Sequence, residues 1–327
     1  MGFIARLSVL SFGIIGISWA SVGVTAITAF LFFLLQTRSF FVPTLQWDTR
    51  LAQELIPLAF PLMLNNLLNA VFFRFDTFII KTFGGGDGNV LVGQYDTAYK
   101  IINIAMILPP VVTFAVFPML ARRASSDREG LLHAQNRTLQ LLFLLGFPLA
   151  MGLSVLAPNM IALVSGERAT EYLPISGDVL AILAWFLPLS FVNGLIQYVL
   201  IAVNRQHAIT KAFVIGAVFN VVSNIIFIPQ FGLYAASTIT VLSEVVLLLV
   251  FLPMLRSEKL TPPLFALMWR PILSSLAMGV IMLIFQNAFG WWAAVLIAAP
   301  VYAVGLWLTG AIGPEEQALA RRVLGRP

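Results

Sequence analysis

Apolar runs of about 20 residues, separated by short polar or Pro/Gly-rich breaks, recur along almost the whole chain. Each is about the length a helix needs to cross about 30 Å of hydrocarbon. Strands of a closed membrane barrel alternate in polarity and span about 10 residues, so these continuous runs exclude that fold. A water-soluble fold is excluded by composition. Of 327 residues, 60% are hydrophobic and only 10% are charged, against roughly 25% charged in ordinary soluble domains. Lipid must therefore solvate most of the surface. The pattern predicts an all-α polytopic membrane protein with about nine spans, at 7–35, 52–82, 92–120, 130–156, 173–203, 208–229, 231–254, 268–287 and 290–310. Several exceed one crossing, which implies tilt or interfacial first turns. The breaks carry their own signals: "GGGDGN" (84–89), the polar "ARRASSDREG" (121–130) and the corner "IPQFG" (228–232).

The first residues, "MGFIARLSVLSFGIIGISWAS", have the basic start and apolar core of a signal peptide. The apolar run continues without a break through "VGVTAITAFLFFLL", so a membrane helix is the expectation. A pI near 9.8 would point to nucleic acid in a soluble protein; here the positions of the cations matter more, and no nucleic-acid partner is expected. Arg38 and Arg50, Arg122, Arg123 and Arg128, Arg205 and Lys211, Arg256, Lys259 and Arg270, and Arg321, Arg322 and Arg326 fall at one set of span ends. The opposite ends carry mainly Arg6, Lys81 and Arg168. By the positive-inside rule the first set, and the C-terminus, are expected in the cytoplasm. A weak internal repeat pairs "FGIIGISWASVGVT" from Phe12 with "FGLYAASTITVLSE" from Phe231. Six spans separate the two, as in two parallel six-helix repeats of which the first is represented by its last helix. The tail "GPEEQALARRVLGRP" reads as a short amphipathic interfacial helix with Ala318, Leu319 and Val323 on one side.

Ionisable groups within the spans are the functional signals, because each is costly at membrane depth. At about 100° per residue, Asp76, Asn69 and Asn65 share one stripe of the second span, whereas Arg74 and Lys81 lie on nearly the opposite face. Arg74 and Asp76 therefore cannot pair with each other, and each face needs another partner or water. Asp96 and Lys100 have the favourable order and spacing for a helical ion pair, with Tyr95 and Tyr99 stacked likewise. Ser190, Asn193, Gln197 and Asn204 form a stripe on the fifth span. The sixth offers Asn220 and Asn224, and the seventh Ser237, Thr240 and Glu244. Glu244, a lone carboxylate in a span, is with Asp76 a candidate proton or cation site.

There is no cysteine, and His133 and His207 match no metal-ligand spacing. No P-loop, HExxH, nucleophile elbow or paired-aspartate motif is present, and "GGGDG" lacks the Lys-Ser/Thr of a phosphate loop and reads as a turn. Neither an enzyme nor a cofactor is indicated.

"RFDTFII" followed by "VGQYDTAYKI" resembles the paired motif of polysaccharide flippases in the multidrug/oligosaccharidyl-lipid/polysaccharide superfamily. "VFPMLAR" (116–122) is similar to the end of the second helix of that motif. "AVNRQHAITKAFVIGAVFNVVSNIIFIPQFGLYAASTITVLSE" (202–244) resembles a further signature of an Asn-Arg loop, an Asn-rich helix and Ile-Pro before Phe-Gly. The resemblance covers 52–255 and does not distinguish O-antigen, capsule, teichuronic-acid and lipid II flippases.

The resemblance implies a MATE-like fold of two six-helix lobes around a V-shaped cavity. Residues 1–36 would be the last helix of a first lobe and 37–51 a cytoplasmic linker. Residues 52–255 would be the second lobe, 256–311 an appended helix pair and 312–327 the cytoplasmic tail. About five first-lobe helices would lie outside the chain, as a fragment, a mis-started frame or half of a split transporter. The implied substrate is an undecaprenyl-diphosphate-linked glycan, flipped across a bacterial or archaeal cytoplasmic membrane by alternating access. Arg74 would meet the diphosphate, because guanidinium matches phosphate oxygens bidentately. Lys81 and Lys100 would assist, Gln197, Asn220 and Asn224 would meet sugar hydroxyls, and Asp76 or Glu244 would couple an ion. Membrane lipid, a polymerase and chain-length proteins are the implied partners. The alternatives are a cation-coupled drug exporter of the same fold and a non-transporting membrane partner.

Overall fold

The computed structural model of the chain describes residues 2–39 and 48–311. The tail 312–327 and most of the linker 37–51 lie outside these, as do the side chains of Asn65 and Asn69. Twelve α-helices follow one another: α1 (Gly2–Ser39), α2 (Thr49–Phe83), α3 (Gly88–Ala105), α4 (Leu108–Ser126), α5 (Arg128–Val155), α6 (Ala157–Ser165), α7 (Ala169–Tyr172), α8 (Ile175–Leu183), α9 (Phe186–Ala202), α10 (Gln206–Ser257), α11 (Leu264–Phe289) and α12 (Trp291–Leu308). The chain divides into two compact units, one up to Leu58 and the other from Ala59, the division falling within α2.

In the first unit, Thr25 and Thr28 return their hydroxyls to the carbonyls four residues earlier. This satisfies the hydroxyl within the helix, as a segment in hydrocarbon requires. Its large side chains, Trp19, Phe30 and Phe32 among them, point outward. Asp48 caps α2, accepting from the N–H groups of Arg50 (2.9 Å) and Leu51 (3.2 Å).

In the second unit two expected spans are interrupted, and proline is the cause. Pro109 and Pro110 have no N–H to give the carbonyls of Ala105 and Met106, so 92–120 divides into α3 and α4. Pro188 likewise deprives Ala184, and 173–203 divides into α8 and α9. The 85–88 turn joins α2 to α3, with Gly85 at φ +55° and no room for a Cβ on Gly88, which would meet the Lys81 carbonyl oxygen.

The expected corner at 228–232 is a reversal centred on Gly232 (φ 56°, ψ −133°) within the 52-residue α10. A straight helix would hold Asn220 and Ser243 roughly 35 Å apart. Instead Asn220 Nδ2 donates to Ser243 Oγ at 3.0 Å, so the two arms of α10 form an antiparallel hairpin. Among the described residues seven stretches are long and apolar enough to cross a membrane, against the nine expected. One of them is the whole of Gln206–Ser257, and α2 is not among the seven.

The centre of this unit is α8–α9, the most buried of these stretches, packed against α4, α5 and α10 around Phe143, Phe191 and Phe251. The appended pair α11–α12 lies on α5. Tyr302 donates to the Leu144 carbonyl (2.8 Å), and Gln140 donates to that of Ala311 (2.8 Å).

Polar contacts gather at the two ends. At one, Gln94 Nε2 donates to the Glu171 carbonyl (3.1 Å) and Tyr234 to Asp178 (2.9 Å). At the other, basic end, Glu258 accepts from Arg128 (2.8 Å) and Arg205 (2.7 Å), tying together the start of α5, the α9–α10 turn and the end of α10. Exposed pairs contribute about 0.2–1 kcal/mol each. Glu258→Ala is therefore expected to cost about 1 kcal/mol in all, seen as a thermal midpoint a few degrees lower in detergent. An unchanged midpoint would show that these bridges do not hold the end together.

Candidate functional site

The 200° between Arg74 and Asp76 places them in unlike surroundings, as the helical spacing requires. Asp76 is buried, and Tyr95 of α3 donates its hydroxyl to Oδ2 at 2.5 Å. The N–H of Thr77 reaches Oδ1 at 2.6 Å, and the Tyr95 hydroxyl lies 3.4 Å from Thr240 Oγ1 of α10. The Tyr95 and Tyr99 rings are 5.0 Å apart and tilted. This knot joins α2, α3 and α10 inside the second unit, with Asp76 as its acceptor.

A buried hydrogen bond to a carboxylate contributes about 1.5–3 kcal/mol. Tyr95→Phe is expected to cost that amount, measured as a lowered unfolding midpoint. A midpoint equal to wild type would remove Asp76–Tyr95 from the structural core.

Arg74 emerges on the other side of α2 with 67% of its side chain exposed. Its Nη1 lies 4.0 Å from Asp96 Oδ1, itself 40% exposed. This corrects the expected Asp96–Lys100 pair, because among the described residues no ion pair joins those two. Tyr95 aims at α2, and Asp96, about 100° further round α3, falls on the flank where Arg74 emerges. Lys81 and Lys100 are exposed.

A second polar locus lies deeper. Asn193 Nδ2 donates to Glu244 Oε2 (2.6 Å) and to the Glu244 carbonyl (2.9 Å). Both residues line a cavity of about 270 Å³, along with Ser190, Gln197 and the Pro109–Pro110 break. The stripe read on the fifth span is thus real for Ser190, Asn193 and Gln197, and the fold brings it to Glu244. Tyr198, at the same cavity, packs edge-on to Phe114 (5.6 Å) and Phe117 (5.4 Å). Asn193 Oδ1 is buried without a partner. Buried polar atoms are seldom left so, and this one gives a ligand or water in the cavity an unused acceptor.

Asn220 and Asn224 are a further correction. Both are fully buried, Asn220 bonded to Ser243 and Asn224 Nδ2 to Asn220 Oδ1 at 2.9 Å. They brace the α10 hairpin as interhelical hydrogen bonds and present nothing to a sugar. Asn204 leaves its stripe for the α9–α10 turn, with φ +60°. The links from Asp76 to Tyr95 and from Glu244 to Asn193 were invisible in the sequence, where 19 and 51 residues separate the partners.

The family described as polysaccharide biosynthesis protein matches residues 4–174. The probable low-salt glycan biosynthesis flippase Agl15 of Haloferax volcanii is 29% identical over 153 residues, 46% of this chain and 32% of that protein. The teichuronic acid biosynthesis protein TuaB of Bacillus subtilis is 33% identical over 134 residues, 40% of this chain and 26% of that protein. The chain thus matches only about a quarter to a third of the length of these curated relatives. Among solved structures, the lipid II flippase MurJ in an inward closed conformation superposes with a TM-score of 0.70 at 18% identity, covering 98% of this chain and 65% of MurJ. That likeness establishes the helical fold. With more than half of its residues inside the family match, the chain belongs to the polysaccharide biosynthesis protein family, and it shares its helical fold with MurJ.

Proposed function

We propose that the chain forms part of a flippase that moves undecaprenyl-diphosphate-linked glycan across the cytoplasmic membrane by alternating access, for cell-surface polysaccharide biosynthesis. The observation that carries this reading is Arg74. A guanidinium in an apolar helix, two-thirds exposed and with only a loose carboxylate contact, is unfavourable against lipid and favourable against a diphosphate. Asp96 at 4.0 Å holds the guanidinium when no phosphate is present and is displaced when one arrives. Lys81 and Lys100 extend the cationic flank, and Gln197 contributes from the Glu244 cavity. Glu244 and Asp76 are the groups that couple transport to a proton or cation. The basic end lies in the cytoplasm, in accord with the positive-inside rule, and so does the C-terminus. A polymerase and chain-length proteins accept the flipped glycan. The names of Agl15 and TuaB, both of glycan or teichuronic acid biosynthesis, support the substrate class.

Complementation tests the reading. In a host whose own glycan flippase is deleted, the full-length transporter that contains this chain should restore surface glycan. Lipid-linked glycan that stays on the inner leaflet, with the protein present in the membrane, would count against it.

A further inference from the structure

We infer that the α9–α10 turn at the basic end carries a binding site for a phosphate group, separate from Arg74 and from the Glu244 cavity. The turn is built by a helix-ending motif: the Arg205 N–H reaches the Leu200 carbonyl (2.8 Å) and the Asn204 N–H reaches that of Ile201 (3.0 Å). Asn204 adopts φ +60° to close it, a conformation asparagine tolerates better than most residues. The chain then enters α10 at once, so Arg205, His207 and Lys211 surround one cavity of about 300 Å³ with Leu200 and Met254.

Three features of this cavity point to an anion. Arg205 is held by Glu258 through Nε alone (2.7 Å), and its two terminal nitrogens have no hydrogen-bond partner among the described residues. His207 and Lys211 are exposed, with no ion pair among the described residues. No side chain caps the N-terminus of α10, so first-turn N–H groups add their donors and the positive end of the helix dipole. The carboxylate bound to Arg205, Glu258, is shared with Arg128 and is therefore outweighed. Leu200 and Met254 give one side of the cavity an apolar surface. This fits a phosphate carried on a lipid, whose first methylenes lie on hydrocarbon while the headgroup meets the cations. Free phosphate shares the charge and lacks that second contact.

The test is a thermal-shift titration of the purified protein in neutral detergent. The probes are dioctanoyl phosphatidic acid, dioctanoyl phosphatidylcholine and inorganic phosphate. Phosphatidic acid is expected to raise the midpoint saturably. Each cation near a membrane phosphate contributes about 1 kcal/mol, so the double variant His207→Gln/Lys211→Gln should bind at least about fivefold more weakly. Arg122→Gln, a cation outside the cavity, should bind as wild type. A variant-sensitive shift with phosphatidic acid and none with phosphate assigns a lipid headgroup. Equal, variant-sensitive shifts with both assign free phosphate as the source. A shift unaffected in the double variant, or matched by phosphatidylcholine, overturns the site. Should the double variant not fold, Lys211→Gln alone takes its place, with about fivefold weakening expected and wild-type binding overturning the site.

Discussion

Arg74→Ala is expected to lower glycan export at least tenfold while the protein remains in the membrane at wild-type abundance. The guanidinium is largely exposed and its contact with Asp96 is long, 4.0 Å, so little folding energy depends on it; an exposed pair of this kind contributes below about 1 kcal/mol. Its proposed phosphate contact, by contrast, is a charge-assisted bond, roughly twice as strong as a neutral one. Arg74→Lys keeps the charge and loses the bidentate fork, and should recover only part of the export. Asp96→Asn separates the roles further. If Asp96 holds the guanidinium between turnovers, its loss raises affinity for the lipid-linked substrate without abolishing transport. Export at wild-type rate in Arg74→Ala would remove the residue from the mechanism, and the flippase reading would then rest on family membership.

At Glu244 the substitution chosen should separate folding from transport. Its carboxylate is buried and accepts from Asn193. Glu244→Gln preserves shape and an acceptor oxygen, so the unfolding midpoint should stay within a few degrees of wild type. Transport coupled to an ion should fall at least tenfold, because an amide neither takes up a proton nor neutralises a cation. Glu244→Ala removes one of the two bonds made by the Asn193 amide, leaving only that to the main-chain carbonyl, at a cost of about 1–3 kcal/mol. The pair is read by export assay and thermal unfolding together. If the Gln variant exports normally and only the Ala variant fails, Glu244 is a structural partner of α9 and the coupling group lies elsewhere.

Much of this architecture was legible along the chain. The corner at Gly232 was read from its Pro/Gly run, whereas Pro109–Pro110 and Pro188, which also break helices within one turn, lay unread inside the expected spans 92–120 and 173–203. The opposite faces of Arg74 and Asp76 follow from helical period alone. The stripe Ser190–Asn193–Gln197 was read the same way, and it meets one cavity. Two assignments failed for a common reason. Asp96 was matched to Lys100, its neighbour on the same helix, and the fold offered Arg74 on the adjacent helix instead. Asn220 and Asn224 looked open to a ligand until the reversal at Gly232 laid Ser243 against Asn220, which in turn accepts from Asn224.

Sequence alone determined that this is a membrane protein of long helices and which side chains share a face. In hydrocarbon every backbone donor must be satisfied within its own segment, so those properties are local and periodic. Only the tertiary structure decided which buried polar group answers which. Asp76 went to Tyr95, Glu244 to Asn193 and Asn220 to Ser243. A side chain's partner is whichever neighbour helix packing brings within about 3 Å, and that depends on crossings between helices distant along the chain.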